Sequence, residues 1–314
     1  MKRRLAMLSA ILVLVTATPS ARAQKVAGSR RPAAVPEGYV ITPFGYFHPS
    51  CVREVASGDT VMADGRVQHA DSTADEESPV CGYPRYTARG EILTEGSKPP
   101  TITHSWIESG NAINTTSSFG ELTANWTVPP APTSDDGQTV FLFPGMEDFA
   151  TDATIIQPVL GWNAGFFGTN WSIASWNCCP KGTTNHSTPV EVNSGDTIFG
   201  TIKSTCSAGT KSCSKWNITT EDQTISKSTT LSETPSEGQT FTWAQGGALE
   251  VYEIVQCSDY PPNKSTAFSN LALYDYNFNK YSAPGWVLLN YYSGLTPQCS
   301  YGGKMAAAKV TLDY

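Results

Sequence analysis

The sequence predicts an all-β protein, a sandwich of two large antiparallel sheets over residues 101–314. An N-terminal segment with too little apolar density to be a domain precedes it. Three observations carry this reading. Short runs rich in Val, Ile, Thr, Tyr, Phe and Trp recur through residues 101–314, separated by Pro, Gly, Asn and Asp clusters. Long amphipathic helical patterns are absent, which disfavours a helix bundle. More than ten such runs crowd into this region, and two packed antiparallel sheets accommodate them best.

The chain opens with a leader. Lys2, Arg3 and Arg4 form a positive region, Leu5 to Ala17 an apolar one, and Ala21-Arg22-Ala23 a small-x-small cleavage site. Residues 1–23 therefore read as a signal peptide, and Gln24 as the first residue of a secreted chain, extracellular or periplasmic. No other apolar run is long enough to span a membrane, so the mature form is expected to have no membrane partner. Export implies an oxidising compartment. All 8 cysteines lie beyond the leader, and an even number predicts disulfides. Cys51 with Cys81 and Cys206 with Cys213 are plausible local pairs, and Cys257 with Cys299 is the remaining guess. The adjacent Cys178 and Cys179 bond either each other or two distant partners. No C-x-x-C spacing occurs, so a structural zinc site is not expected, and separately no cofactor is called for.

Residues 24–100 read as a pro-region. Gly28 to Pro32 resembles a linker, Tyr39 to Phe47 is a short aromatic stretch, Asp71 to Glu77 is acidic, and Lys98-Pro99-Pro100 marks an end. Charge changes at the same boundary. Residues 1–100 hold 9 Arg, 3 Lys and 10 acids, whereas residues 101–314 hold no Arg, 9 Lys and 18 acids. A basic segment ahead of an acidic domain predicts docking by charge, with release as carboxylates protonate. The whole chain carries a net charge of −7, which excludes a basic nucleic-acid-binding face. A domain rich in Ser, Thr, Asn, Gln and aromatics relies little on ion pairs, so acid tolerance is a further expectation.

The strands follow in order. Gly120 to Val128 alternates, with Leu122, Ala124, Trp126 and Val128 on one face. Asp196 to Lys203 alternates again around Ile198 and Ile202. The other β-rich runs are 139–143, 154–160, 170–176, 215–220, 240–243, 248–255, 269–274, 286–292 and 304–312.

Several chemistries are missing. There is no H-E-x-x-H, no G-x-S-x-G and no Asp-Thr/Ser-Gly. His104 and His186, the histidines available to a triad, sit in polar turn-like sequence and read as surface residues. Carboxylates, carboxamides and tryptophans remain. Gln157 lies inside the apolar run Ile155 to Leu160, so it is either a structural bridge or a site group. Glu250 and Glu253 lie three apart on one strand and face opposite sides. A glutamate on an apolar strand tends to a raised pKa, which suits a general acid or base.

The order of segments resembles the glutamic peptidases (eqolisins) from about Ser105 to Asp275. The pieces are Ser105-Trp106, Phe119 to Pro129, Gly145-Met146-Glu147, Ile155-Ile156-Gln157, Ser194 to Ile198 and Trp216 to Thr220. Ile155-Ile156-Gln157 resembles the family's Ile-Leu-Gln, which carries its catalytic glutamine. Tyr252-Glu253-Ile254-Val255-Gln256 is the best fit to an Ala-Glu-Trp-Ile-Val-Glu-Asp stretch that opens on its catalytic glutamate. Phe268 and Leu271 follow where the family has phenylalanines. The chain departs where Ser175 replaces a glutamate, Glu147 an aspartate, and Tyr252-Glu253 an Ala-Glu, as in a divergent branch.

The resemblance implies a lectin-like (concanavalin-like) sandwich with the dyad on its concave face, and an N-terminal propeptide. It implies a monomeric acid endopeptidase acting on polypeptide substrate, with Glu253 as general base and acid and Gln157 as oxyanion donor. Trp106, Glu147 and Trp176 are the expected substrate-binding residues, with the sandwich core as the other place for the two tryptophans. Two rival readings share the sandwich. A lectin would use exposed tryptophans on sugar rings. A glycosidase would pair Glu147 with Glu253 about 5–10 Å apart.

Overall fold

The computed structural model describes residues 31–74, 80–93, 105–114, 116–150, 154–164, 170–179, 182–291 and 297–314. The leader, the Lys98-Pro99-Pro100 break and His104 lie outside them. Among the described residues there is no α-helix, and none is long and apolar enough to cross a membrane.

The N-terminal segment contributes β1 (Val40–Thr42), β2 (Gly45–Phe47), β3 (Val52–Val55), β4 (Thr60–Val61), β5 (Val67–Gln68), β6 (Arg85–Tyr86) and β7 (Ile92–Leu93). The first half of the sandwich is β8 (Trp106–Ile113), β9 (Phe119–Thr127), β10 (Thr139–Glu147), β11 (Ile155–Trp162), β12 (Trp171–Cys178), β13 (Thr184–Ser187), β14 (Val190–Glu191) and β15 (Thr197–Ser204). The second is β16 (Lys215–Asp222), β17 (Lys227–Pro235), β18 (Trp243–Tyr252), β19 (Ser265–Asp275), β20 (Val287–Asn290), β21 (Gly302–Ala306) and β22 (Lys309–Asp313).

Two nine-stranded sheets form the sandwich. The first runs β20-β8-β18-β10-β11-β12-β13-β3, with β14 also on β12; the second runs β21-β22-β19-β9-β15-β16-β17-β4-β5. The expected pair of large sheets is therefore present. Their strands pair antiparallel except where the N-terminal segment joins, since β3 lies parallel to β13 and β4 parallel to β17. The segment thus completes one edge of each sheet.

The core between the sheets is built by one face of each strand. Leu122, Ala124 and Trp126 of β9 and Ile198 and Ile202 of β15 meet Leu142, Ile156, Leu160, Ile173 and Leu249 of the first sheet. Apolar area taken from water at such sites is the main favourable term in folding. Alternation holds in the second sheet, where β15 and β16 bury every other residue. It fails in β10, β11, β12 and β18, which are buried at every position.

The cause is a second apolar cluster on the outer face of the first sheet. There Trp106, Phe141, Phe143, Ile155, Ala174 and Trp176 pack with residues of the N-terminal segment, among them Tyr39, Ile41, Phe44, Tyr46 and Phe47. The segment's own four-stranded sheet, β1-β2-β6-β7, covers this face. Thr42 pairs with Gly45 across the tight β1–β2 hairpin. Gly45 has φ +119°, and a Cβ there would stand 2.4 Å from the Tyr86 carbonyl oxygen, so no other residue lets β2 lie against β6.

Docking by charge was expected, yet most of the contact is aromatic. Arg31 Nε lies 3.9 Å from Glu253 Oε1. The Arg85 guanidinium sits 4.7 Å and 5.5 Å from the ring centres of Phe44 and Phe47. Four disulfides are present: Cys51–Cys81, Cys178–Cys179, Cys206–Cys213 and Cys257–Cys299. The adjacent cysteines bond each other, and Arg85 Nη1 donates to Cys179 Sγ at 2.6 Å.

Three expected strands differ. The run 304–312 is the hairpin β21–β22 rather than one strand. The run 240–243 only leads into β18. The run 248–255 ends at Tyr252, because Glu253 takes φ +59° and leaves the ladder.

Candidate active site

Gln157 lies on β11 with its side chain on the outer face. Its neighbours in sequence, Ile156 and Pro158, point the other way, because side chains alternate along a strand. The residue is 1% exposed. Its Nε2 donates to the Pro43 main-chain carbonyl at 3.2 Å, and its Oε1 has no hydrogen-bond partner. A buried carboxamide left half satisfied costs stability, which is common at sites that await a ligand. The peptide carbonyl at the tip of the β1–β2 hairpin thus sits on the Gln157 amide.

Register fixes what lies beside it. Leu142 pairs with Leu160 and Met146 with Ile156, so Gly145 is level with Gln157. Gly145 pairs with Gln245 on β18, which pairs with Asn111 on β8. On the other side Gln157 pairs with Trp176. One row therefore reads Trp176, Gln157, Gly145, Gln245, Asn111. Gln245 is 0% exposed, and neither Nε2 nor Oε1 has a hydrogen-bond partner. A Cβ on Gly145 would come within 2.9 Å of Gln245 Oε1, so glycine there leaves room for that amide.

Glu147 is one step along the same face. It pairs with Ile155 and with Trp243, both in the outer-face cluster. It is diagonal to both Gln157 and Gln245, a relation that puts Cβ atoms about 7 Å apart and within reach of long side chains. It is 2% exposed. Trp243 Nε1 donates to Asn111 Oδ1 at 2.7 Å, which fixes the indole beside Glu147.

Glu253 is not brought beside Gln157. It follows Tyr252, which pairs with Thr139, whereas Gln157 is level with Gly145. Six residues of β10 separate the two levels, roughly 20 Å at the rise of a strand. Its side chain is 6% exposed. It accepts from Tyr46 Oη at 3.0 Å, and burial pushes its pKa up against the lowering effect of Tyr46 and Arg31. The glycosidase arrangement fails on the same ground. Glu147 is eight residues of β10 from the Thr139 level, roughly 25 Å, far beyond the span of a carboxylate pair.

Glu250 does point to the outer face. It is fully buried, accepts from Ser105 Oγ at 2.7 Å and Tyr252 Oη at 2.6 Å, and burial raises its pKa to about 7. Trp106 and Trp176 lie on this face under the N-terminal segment rather than in the core between the sheets. All 8 tryptophans are buried, so with the N-terminal segment on the outer face no indole is exposed for a sugar ring. Ser175 faces inward, with its Oγ near Thr220 Oγ1 at 3.0 Å. His186 is not a surface residue: it is 3% exposed, its ring lies 4.8 Å from that of Trp176, and burial lowers its pKa. Position 186 falls on β13, covered on one side by β12 and on the other by β3, and the long-range pairing with β3 is invisible in local sequence.

Gln245 was missed by sequence reasoning. The bulge between Gln245 and Gly247 shifts the alternation of β18 at that point, so the local pattern does not show which face Gln245 takes.

No family model and no curated protein matches the chain. Among solved structures, scytalido-glutamic peptidase with a peptide-based transition state analog is similar at 14% identity and TM-score 0.47, over 67% of this chain and 98% of that one. SCP-B, a member of the Eqolisin family in complex with the tripeptide Ala-Ile-His, gives 15% identity and TM-score 0.47 over 67% and 98%. Aspergilloglutamic peptidase from Aspergillus niger gives 16% identity and TM-score 0.35 over 56% of this chain and 98% of that one. At these values the three structures stand as distant likenesses of this chain.

Proposed function

We propose that the chain is a secreted acid endopeptidase whose cleft is the outer face of the first sheet, and that residues 24–100 form a pro-region docked there. The observation that carries this is the Gln157 amide donating to the Pro43 carbonyl at 3.2 Å. A buried carboxamide that receives a main-chain carbonyl is suited to receive the carbonyl of a substrate and to stabilise its oxyanion. Trp176, beside Gln157, and Trp106, further along the face, are the apolar walls for an extended polypeptide. The four disulfides fit an oxidising compartment. Glu253, expected from the sequence to share a scissile bond with Gln157, is assigned instead to holding Tyr46 of the docked segment.

The test is cleavage of an unfolded protein by the full chain from pH 2 to pH 7, beside Gln157→Ala. Cleavage in acid that falls ~100-fold or more in the variant is expected for the loss of one oxyanion donor. A wild type that is inactive and stays inactive as full-length Tyr46→Ala, whose hairpin is loosened, or a Gln157→Ala variant as active as its parent, overturns the reading.

A further inference from the structure

We propose that Glu147 is the carboxylate that works with Gln157, and that Gln245 completes the site as a second amide. The proposal rests on the peptidase reading above. It starts from the row across β11, β10 and β18. The position level with Gln157 on β18 holds a carboxamide, Gln245, so the carboxylate of an acid–base mechanism must come from another position on this face. Of the glutamates on the outer face, Glu253 and Glu250 lie toward the Tyr252 end of β18. Glu250 pairs with Phe141, four residues of β10 from Gly145, and already holds Ser105 and Tyr252. Glu147 is diagonal to both glutamines.

The second observation is Gln245 itself. It is fully buried, lies over Gly145 on the Gln157 side, and its Nε2 and Oε1 have no hydrogen-bond partner. Such a side chain is costly unless a ligand satisfies it. Two amides and one carboxylate on adjacent strands make a site for a peptide carbonyl and a water.

The step balances without a cofactor. Glu147 as carboxylate takes a proton from water, and the water oxygen bonds to the scissile carbonyl carbon. The Gln157 Nε2 donates to the resulting oxyanion, with Gln245 Nε2 as the second donor. The C–N bond then breaks, and protonated Glu147 gives its proton to the leaving amine. The products are a carboxyl and an amine. The β1–β2 hairpin places Pro43 over Gln157 and so blocks this step until it moves.

The experiment measures acid proteolysis by the full chain and by full-length Tyr46→Ala, whose hairpin is loosened. Glu147→Gln, Glu147→Asp and Glu253→Gln are compared in both. Glu147→Gln is expected to lower kcat ~100-fold or more with KM little changed, and to abolish the rise of kcat/KM through the pKa of the base. Glu147→Asp keeps a carboxyl and is expected to retain part of kcat with the same pH limb. Glu253→Gln is expected to keep kcat within a few fold. Loss of activity in Glu253→Gln with Glu147→Gln spared overturns this assignment and leaves the peptidase reading standing. Loss in both Glu147 variants with an unchanged pH limb marks a structural role and also overturns it. No cleavage at any pH by either parent overturns the peptidase reading itself.

Discussion

The Tyr46 phenol donates to Glu253 Oε1 at 3.0 Å, joining the N-terminal hairpin to the residue that follows β18. Arg31 of the same segment lies 3.9 Å from that oxygen. Burial nevertheless outweighs both partners, and the Glu253 pKa is raised. The two groups that the segment itself brings to Glu253, Tyr46 and Arg31, both lower its pKa and so hold its ionised form. Their contribution to docking is present while Glu253 is ionised and is lost as pH falls through its pKa. The protection of residues 40–47, their exchange rate relative to the unfolded chain at the same pH, is expected to fall as pH drops through the Glu253 pKa, with protection in Glu253→Gln flat across the range. Protection that rises in acid would sink this account.

Two other buried carboxyls, Glu108 and Glu250, contribute to the pH dependence of the fold. Burial pushes Glu108 up to about 8, against the lowering effect of the Gly302 and Asp313 main-chain N–H groups. Glu250 stands at about 7. In each case the folded pKa lies above the unfolded value near 4.5. The stabilising contribution is complete below that value, declines as pH rises, and is gone once pH passes the folded pKa. At about 1.4 kcal/mol per pH unit, Glu108 alone accounts for up to a few kcal/mol between acid and mild alkali. Thermal unfolding is expected to give the highest Tm below pH 4.5 and a drop of several degrees by pH 8. Glu108→Gln is expected to flatten most of that slope; an unchanged slope refutes the assignment.

Most of the sandwich was legible in the sequence, and what was not has a common cause. Leu122, Ala124 and Trp126 alternate with half-exposed residues because the other side of β9 faces solvent. In β10, β11, β12 and β18 the outer side is also covered, so alternation vanishes and apolar runs show a strand without showing its faces. The covering strands have two to four residues and are too short for any periodicity. Gln157 could be singled out because a carboxamide in an apolar strand demands a partner. Gln245 could not, because the bulge before Gly247 breaks the spacing. Glu253 was misplaced because Ile254 and Val255 continue the apolar pattern past the point where its positive φ ends the strand.

Gly145 lies between Gln157 and Gln245 in one row, and its missing side chain leaves room for the Gln245 amide. A Cβ there meets Gln245 Oε1 at 2.9 Å and Ile155 Cδ1 at 3.2 Å. Gly145→Ala must displace the Gln245 amide. The expected cost to stability is about 1–3 kcal/mol, as for an overpacked site. The loss of acid proteolysis is expected to exceed what that destabilisation explains, because the oxyanion donors are misplaced. The check is activity at a temperature where denaturation curves show the variant fully folded. Wild-type activity there would mean that the row through Gly145 is only packing.

Gln245 allows the sharpest separation of stability from function. Its buried amide has no hydrogen-bond partner in the folded chain. Replacing an unsatisfied buried polar group by an apolar one of similar shape removes a desolvation cost of about 1–3 kcal/mol. Gln245→Met is therefore expected to raise the denaturant midpoint at unchanged m-value. If the amide serves as the second donor, the same variant loses ~10-fold or more in kcat. A gain in stability joined to a loss of turnover is the mark of a residue kept for chemistry at the expense of the fold. A fall in stability instead would show that the amide is satisfied in solution and that its place beside Gln157 is structural.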